Sequence, residues 1–174
     1  EFSSFARMPA SNPSLNNLND VLNEALVLFQ EGHKEIQFQL QTDPDLPAFS
    51  LDREQIKRVA INLLDNAVAA VNGNAKGQIT VETSFNKDLK IATLKISDNG
   101  CGISDKDKVN VFTKFFRAEN ENIRNSKGTG LGLYIVKNAI LKLNGRINLT
   151  SKEKEGACFK LTIPKIIPKE QAEI

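Results

Sequence analysis

Gly128-Thr129-Gly130-Leu131-Gly132-Leu133 opens a helical pattern that runs to about Leu143, with Gly145 after it. A helix N-terminus presents unpaired N–H groups, and glycine lets an anion approach them. Two phosphate-binding arrangements can be tested here. A P-loop requires G-x-x-x-x-G-K-[ST], which the chain does not contain. A dinucleotide fingerprint requires G-x-G-x-x-G directly after a strand. The spacing here is G-x-G-x-G, and the polar, aperiodic residues 117–127 precede it. Both readings fail, and a plain tight turn stays open beside an anion site.

A second glycine cluster lies upstream in Asp98-Asn99-Gly100-Cys101-Gly102-Ile103, at the end of an alternating stretch. Asp98 is either a turn former or an acceptor for an exocyclic amine in a pocket. In the second case Gly100 and Gly102 let a flat ring lie against the backbone. Further upstream, Asp52 with Gln55 resembles a capping box. It opens a helix whose apolar side is Ile56, Val59, Ala60, Leu63, Ala67, Ala70 and Val71. Asn62 and Asn66 share one face of it, with Asp65 beside them and Arg58 a turn earlier. Asparagine is a poor residue inside a helix. The face is either simply solvated, or it aims amide oxygens at a hard cation such as Mg²⁺, which suits carbonyl, phosphate and water oxygens.

The remaining elements follow from periodicity. Leu18, Val21, Leu22, Ala25, Leu26 and Phe29 define a helix that Gly32 stops, and Ile36, Phe38 and Leu40 alternate as a half-buried strand. Strands are expected at about 78–85, 90–97, 146–152 and 157–163, and a short helix over 105–111 leads into Phe112, Phe115 and Phe116. Pro9 and Pro13 set residues 1–13 apart as the end of a preceding helix and a linker; 14–165 form the domain and 166–174 a tail. Strand pairs with short connections predict an α/β (α+β) two-layer sandwich. Its sheet is five-stranded, mixed and largely antiparallel, with about three helices on one face.

Composition narrows the function. The 174 residues carry 23 basic and 21 acidic side chains, net +2, which gives no electrostatic case for nucleic acid. Two cysteines exclude a disulfide scaffold and a cysteine-rich zinc site, and one histidine excludes a His-pair metal centre. No run approaches the ~18 apolar residues of a membrane span, so no direct membrane contact is expected. The opening Glu1-Phe2-Ser3 reads as the start of a fragment, and the cytoplasm is the expected compartment.

The order of the motifs is more telling than any one of them. Asn62-Leu63-Leu64-Asp65-Asn66-Ala67, then Asp98 to Ile103, then Val111-Phe112-Thr113-Lys114-Phe115-Phe116-Arg117, then Gly128 to Leu133 resemble the N, G1, F and G2 boxes. These belong to the catalytic ATP-binding domain of bacterial sensor histidine kinases, whose fold is shared with gyrase, chaperone and mismatch-repair ATPases. The resemblance spans about residues 16–164. It implies that Asn66 ligates Mg²⁺ with Asn62 in support, and that Asp98 binds the adenine amino group. It places Ala69, Ala70, Gly100, Gly102, Ile103 and Phe115 along ATP, and residues 117–127 in a mobile lid. Gly128, Thr129, Gly130, Leu131, Gly132 and Leu133 face the phosphates. Arg117 is the candidate for the γ-phosphate, through paired guanidinium bonds, and Lys127 is a weaker one. Two departures stand out. Many members carry Lys and an aromatic residue where Ala69 and Ala70 stand, and a further glycine where Lys127 stands. The two alanines and the opening residues 1–9 look more like the nitrogen-regulation branch.

The implied chemistry is transfer of the ATP γ-phosphoryl group to a histidine, through positioning and charge neutralisation. The resemblance puts that histidine on the dimerisation and phosphotransfer domain of a homodimeric parent, compatible with an inner-membrane anchor, with a response regulator downstream. The fragment itself is expected to be monomeric. His33, followed by Lys34-Glu35 between a helix stop and a strand, is expected to be incidental. Three alternatives stay open. One is a serine kinase of related fold. Another is an ATPase, which would need a glutamate base where Asn62 stands. The third is a non-catalytic nucleotide-binding regulatory module. Cys101 is read as a small filler residue.

Overall fold

A computed structural model describes residues 10–117, 129–164 and 166. Strand β1 (Ser14–Asn16) leads into helix α1 (Leu18–Gly32), then strands β2 (Gln37–Gln41) and β3 (Phe49–Leu51), then helix α2 (Arg53–Val71). Strands β4 (Gln78–Asn86) and β5 (Ile91–Asp98) follow, then the short helix α3 (Asp105–Lys108). Helix α4 (Gly132–Lys142) and strands β6 (Arg146–Lys152) and β7 (Gly156–Ile163) complete the order.

The five-stranded sheet runs β2-β4-β5-β7-β6. Only β2–β4 is parallel, because the chain between them crosses over through α2. The other pairs are antiparallel, in a register that sets Asp98 opposite Ala157 and Ala157 opposite Ser151. Alternation sends Ile79, Val81, Leu94, Ile96, Phe159 and Leu161 to one face, where α1, α2 and α4 cover them. Helix α2 lies between α1 and α4, and Val59, Ala60, Leu63 and Leu64 are at most 1% exposed, so its apolar side is fixed in the core. Both long N-terminal helices start on side-chain caps. Asn17 accepts from the Asn19 N–H at 2.9 Å, and Asp52 from the Gln55 N–H at 3.1 Å.

Two expectations need correction. Residues 14–16 and 49–51 pair antiparallel as a small second sheet, with Ser14 opposite Leu51, where no strand was expected. Three-residue strands beside Pro13 and Pro47 are too short to show alternation. Helix α3 covers only Asp105–Lys108 of the expected 105–111; none of its residues is buried, so it has no apolar face to anchor further turns.

Candidate functional site

A cavity of about 900 Å³ opens between α2, the turn after β5, the segment before residue 118 and the start of α4. Helix α2 contributes Asn62, Asp65, Asn66, Ala69 and Ala70, whose three- and four-residue spacing turns one helical stripe toward the space. Asn62 Nδ2 is buried and has no hydrogen-bond partner among the described residues. Across from it, a Cβ on Gly132 would stand 3.5 Å from Asn62 Oδ1. The first turn of α4 therefore lies against the asparagine. Leu131, the N-cap of α4, makes no side-chain cap bond, a helix start that suits an anion.

Asp98 closes the other end. It is half-buried, and its Oδ1 accepts the Gly100 N–H at 2.8 Å. Burial pushes its carboxyl up to about 6, against the opposing pull of the Gly100 and Ala157 N–H groups. The two glycines act differently from the expected ring platform. A Cβ on Gly100 would fall 2.3 Å from the Ala70 carbonyl oxygen, and one on Gly102 (φ +69°) 2.0 Å from the Lys152 carbonyl oxygen. Their smallness serves backbone packing against α2 and against the β6–β7 hairpin. Gly102 still lines the cavity; Gly100 does not.

Ile103, Arg117, Thr129, Gly130, Gly132 and Leu133 also line it. Phe115 and Leu131 do not. Phe115 is 60% exposed at φ +61°, and its neighbour Phe116 takes the place on the wall, while Leu131 is buried as the helix cap. Phe112 belongs to the core and meets Phe159 edge-on at 6.3 Å. Lys127, Gly128 and, of the expected lid 117–127, residues 118–127 lie outside the described residues. Burial and the Asp98 charge push the Cys101 thiol up, so it stays protonated as a filler would.

The sequence did not point to His33, Glu35 and Ile36, which form part of the wall beside α2. His33 caps α1, stacks on Phe29 at 6.2 Å and sets Nδ1 3.5 Å from Glu35. Only tertiary packing brings this turn to the cavity, and no local pattern announces it.

Over residues 51–167 the chain matches the family described as histidine kinase-, DNA gyrase B- and HSP90-like ATPase. It is 30% identical over 173 residues to the nitrogen regulation protein NtrY of Azorhizobium caulinodans, covering 97% of this chain and 22% of that protein. With the signal transduction histidine-protein kinase AtoS of Escherichia coli it shares 35% over 149 residues, covering 84% and 23%. The chain thus spans about a fifth of the length of these relatives. The solved catalytic domain of histidine kinase ThkA superposes with TM-score 0.74 at 30% identity, covering 88% of this chain and 98% of that one. ThkA in complex with the response regulator protein TrrA also superposes at 0.74, with 27% identity, covering 94% and 45%. The chain belongs to this ATPase family, and within it to the catalytic domains of histidine kinases.

Proposed function

We propose that the cavity binds Mg-ATP and presents the γ-phosphoryl group to a histidine on a dimerisation domain outside this chain. Asn62 Nδ2 carries the reading: a buried amide donor without an acceptor beside an uncapped helix start suits phosphate oxygens. The donor set suits Mg²⁺ in the same way. Among the described residues no group of three or more His, Cys, Asp or Glu could hold a metal. One amide oxygen from Asn66, with phosphates and water, is what Mg²⁺ accepts in nucleotide sites. The ion would neutralise phosphate charge there.

The residues of the chain then have separate tasks. Asp98 accepts from the adenine amino group, Asn62 and the first amides of α4 hold phosphate oxygens, and Arg117 meets the γ-phosphate. The acceptor histidine nitrogen bonds to the γ-phosphorus as the bond to the ADP oxygen breaks, and ADP leaves. The proposed domain extends over residues 14–165. Its start is supported by β1, which pairs with β3 from Ser14 onward. Residues 1–13 are assigned to the end of a dimerisation helix and its linker, and a response regulator receives the phosphoryl group later.

Calorimetry with Mg-ATP on the chain, on Asp98→Asn and on Asn66→Ala tests the binding half. Affinity should fall in both variants, and unchanged affinity in both overturns the reading. Labelled ATP with a dimerisation domain added in trans tests the transfer half.

A further inference from the structure

We infer that Asn99 is a positioning residue for adenine recognition, aiming the Asp98 carboxylate through the Asn99–Gly100 peptide. The inference rests on the reading of Asp98 as the acceptor for the adenine amine, and deepens it. Strand β5 ends at Asp98, opposite Ile79 of β4. The next two residues across the ladder are Asn99 and Gln78, where a regular antiparallel pair would exchange two main-chain bonds. Only one is main-chain here: the Asn99 N–H donates to the Gln78 carbonyl at 3.2 Å. The Gln78 N–H donates instead to the Asn99 side chain, to Oδ1 at 2.7 Å. Asn99 Nδ2 donates to the Lys76 carbonyl at 2.8 Å, which fixes the orientation of the amide.

The side chain thus takes the place of its own main-chain carbonyl in the ladder. That carbonyl is turned elsewhere and accepts Asn74 Nδ2 at 3.3 Å. The other end of the same peptide unit is the Gly100 N–H, which donates to Asp98 Oδ1 at 2.8 Å. One exchange of side chain for main chain therefore ends β5 and points a peptide N–H at the carboxylate. A strand continued through residue 99 would return the carbonyl to Gln78 and withdraw the Gly100 N–H from Asp98. Asn99 is exposed and does not line the cavity, whereas Asp98 and Asn74 do. The turn is fastened separately from it. The Cys101 N–H donates to the Ala70 carbonyl at 3.0 Å, and the Lys154 N–H to the Cys101 carbonyl at 2.7 Å. Removing the Asn99 side chain leaves these attachments in place and frees the peptide that holds Asp98.

Calorimetry on Asn99→Ala, Asn99→Asp and Asp98→Asn, with ATP and with ITP, tests this. ITP carries a carbonyl where adenine has its amine. Asn99→Ala should weaken ATP by about threefold to tenfold, the worth of one hydrogen bond, and leave ITP unchanged. Asn99→Asp, which keeps an acceptor for the Gln78 N–H, should retain the preference for ATP over ITP. A purely structural role would weaken both nucleotides alike and overturns the inference. If Asp98→Asn weakens ATP while Asn99→Ala does not, the inference falls alone. If Asp98→Asn leaves ATP binding intact, the adenine reading falls and takes the inference with it. Should Asn99→Ala not fold, hydrogen exchange on the unmodified chain decides. At equal saturation, ATP must slow the Gly100 and Gln78 amides more than ITP does, and equal slowing overturns the inference.

Discussion

Phe115 donates its backbone N–H to the Gly130 carbonyl at 2.9 Å, and both residues sit at positive φ, 61° and 73°. The bond ties the Phe-rich segment to the turn that opens α4. It holds Phe116 and Arg117 on the same cavity as Gly132. The contact is tight: a Cβ on Gly130 would lie 2.7 Å from the Phe115 carbonyl carbon. Gly130→Ala should therefore lower stability by about 1–3 kcal/mol, from left-handed strain and the clash together. ATP affinity should fall with it. Thermal melting and calorimetry check both, and an unaltered melting point would show that the turn is slack.

The same geometry predicts an opposite effect at its partner. Phe115 is exposed and left-handed, a conformation that a bulky residue tolerates poorly and asparagine tolerates well. Phe115→Asn should leave stability unchanged or raise it by up to about 1 kcal/mol, read from melting curves. A clear drop would mean that the ring makes a contact in solution.

Asp98 gives the nucleotide-free chain a pH dependence of defined sign. Its carboxyl is raised from 3.8 to about 6 by burial, so the folded state holds the proton more tightly than the unfolded one. The group's favourable contribution is complete below about pH 4 and is lost as pH rises through about 6. Asp98→Asn, neutral throughout, should remove this component and stabilise the nucleotide-free chain near pH 7.5 by about 2 kcal/mol. ATP binding should run the other way. An ionised Asp98 is the better acceptor for the adenine amine, so affinity should weaken on acidification below about pH 6. Melting curves and titrations across about pH 5 to 8 separate the two trends.

The long elements were legible because each carries a buried face of regular period. Leu18 to Phe29 and Ile56 to Val71 repeat at helical spacing, and Ile79 to Phe85 alternates. The β1–β3 pair was not legible, since Leu15 is a single apolar residue in a polar stretch, and Phe49 and Leu51 alternate over only three residues beside Pro47. At the site, residue types were legible and their directions were not. Gly100 has the composition of a ring platform, yet its missing Cβ faces Ala70.

His33 lines the cavity but is not the expected acceptor. Its ring lies on Phe29, and Nδ1 faces Glu35, so the imidazole is held within the wall by its own neighbours. Labelled ATP incubated with the chain alone should leave it unlabelled. Label recovered at His33 would overturn the assignment of the acceptor to another domain.

Asn62 sets stability against binding in a single side chain. A buried donor without a partner costs about 1–3 kcal/mol in the nucleotide-free chain. Asn62→Leu, similar in volume and free of polar atoms, should therefore raise the melting point without nucleotide while removing an anchor for the phosphates. ATP affinity should drop at least about tenfold, and the rise in melting point normally produced by Mg-ATP should shrink with it. Asn66→Ala differs in a diagnostic way. Its loss should appear with Mg²⁺ present and nearly vanish with EDTA, because its amide oxygen is assigned to the ion rather than to the nucleotide. If both variants lose the same affinity with and without Mg²⁺, the division of labour between the two asparagines is wrong.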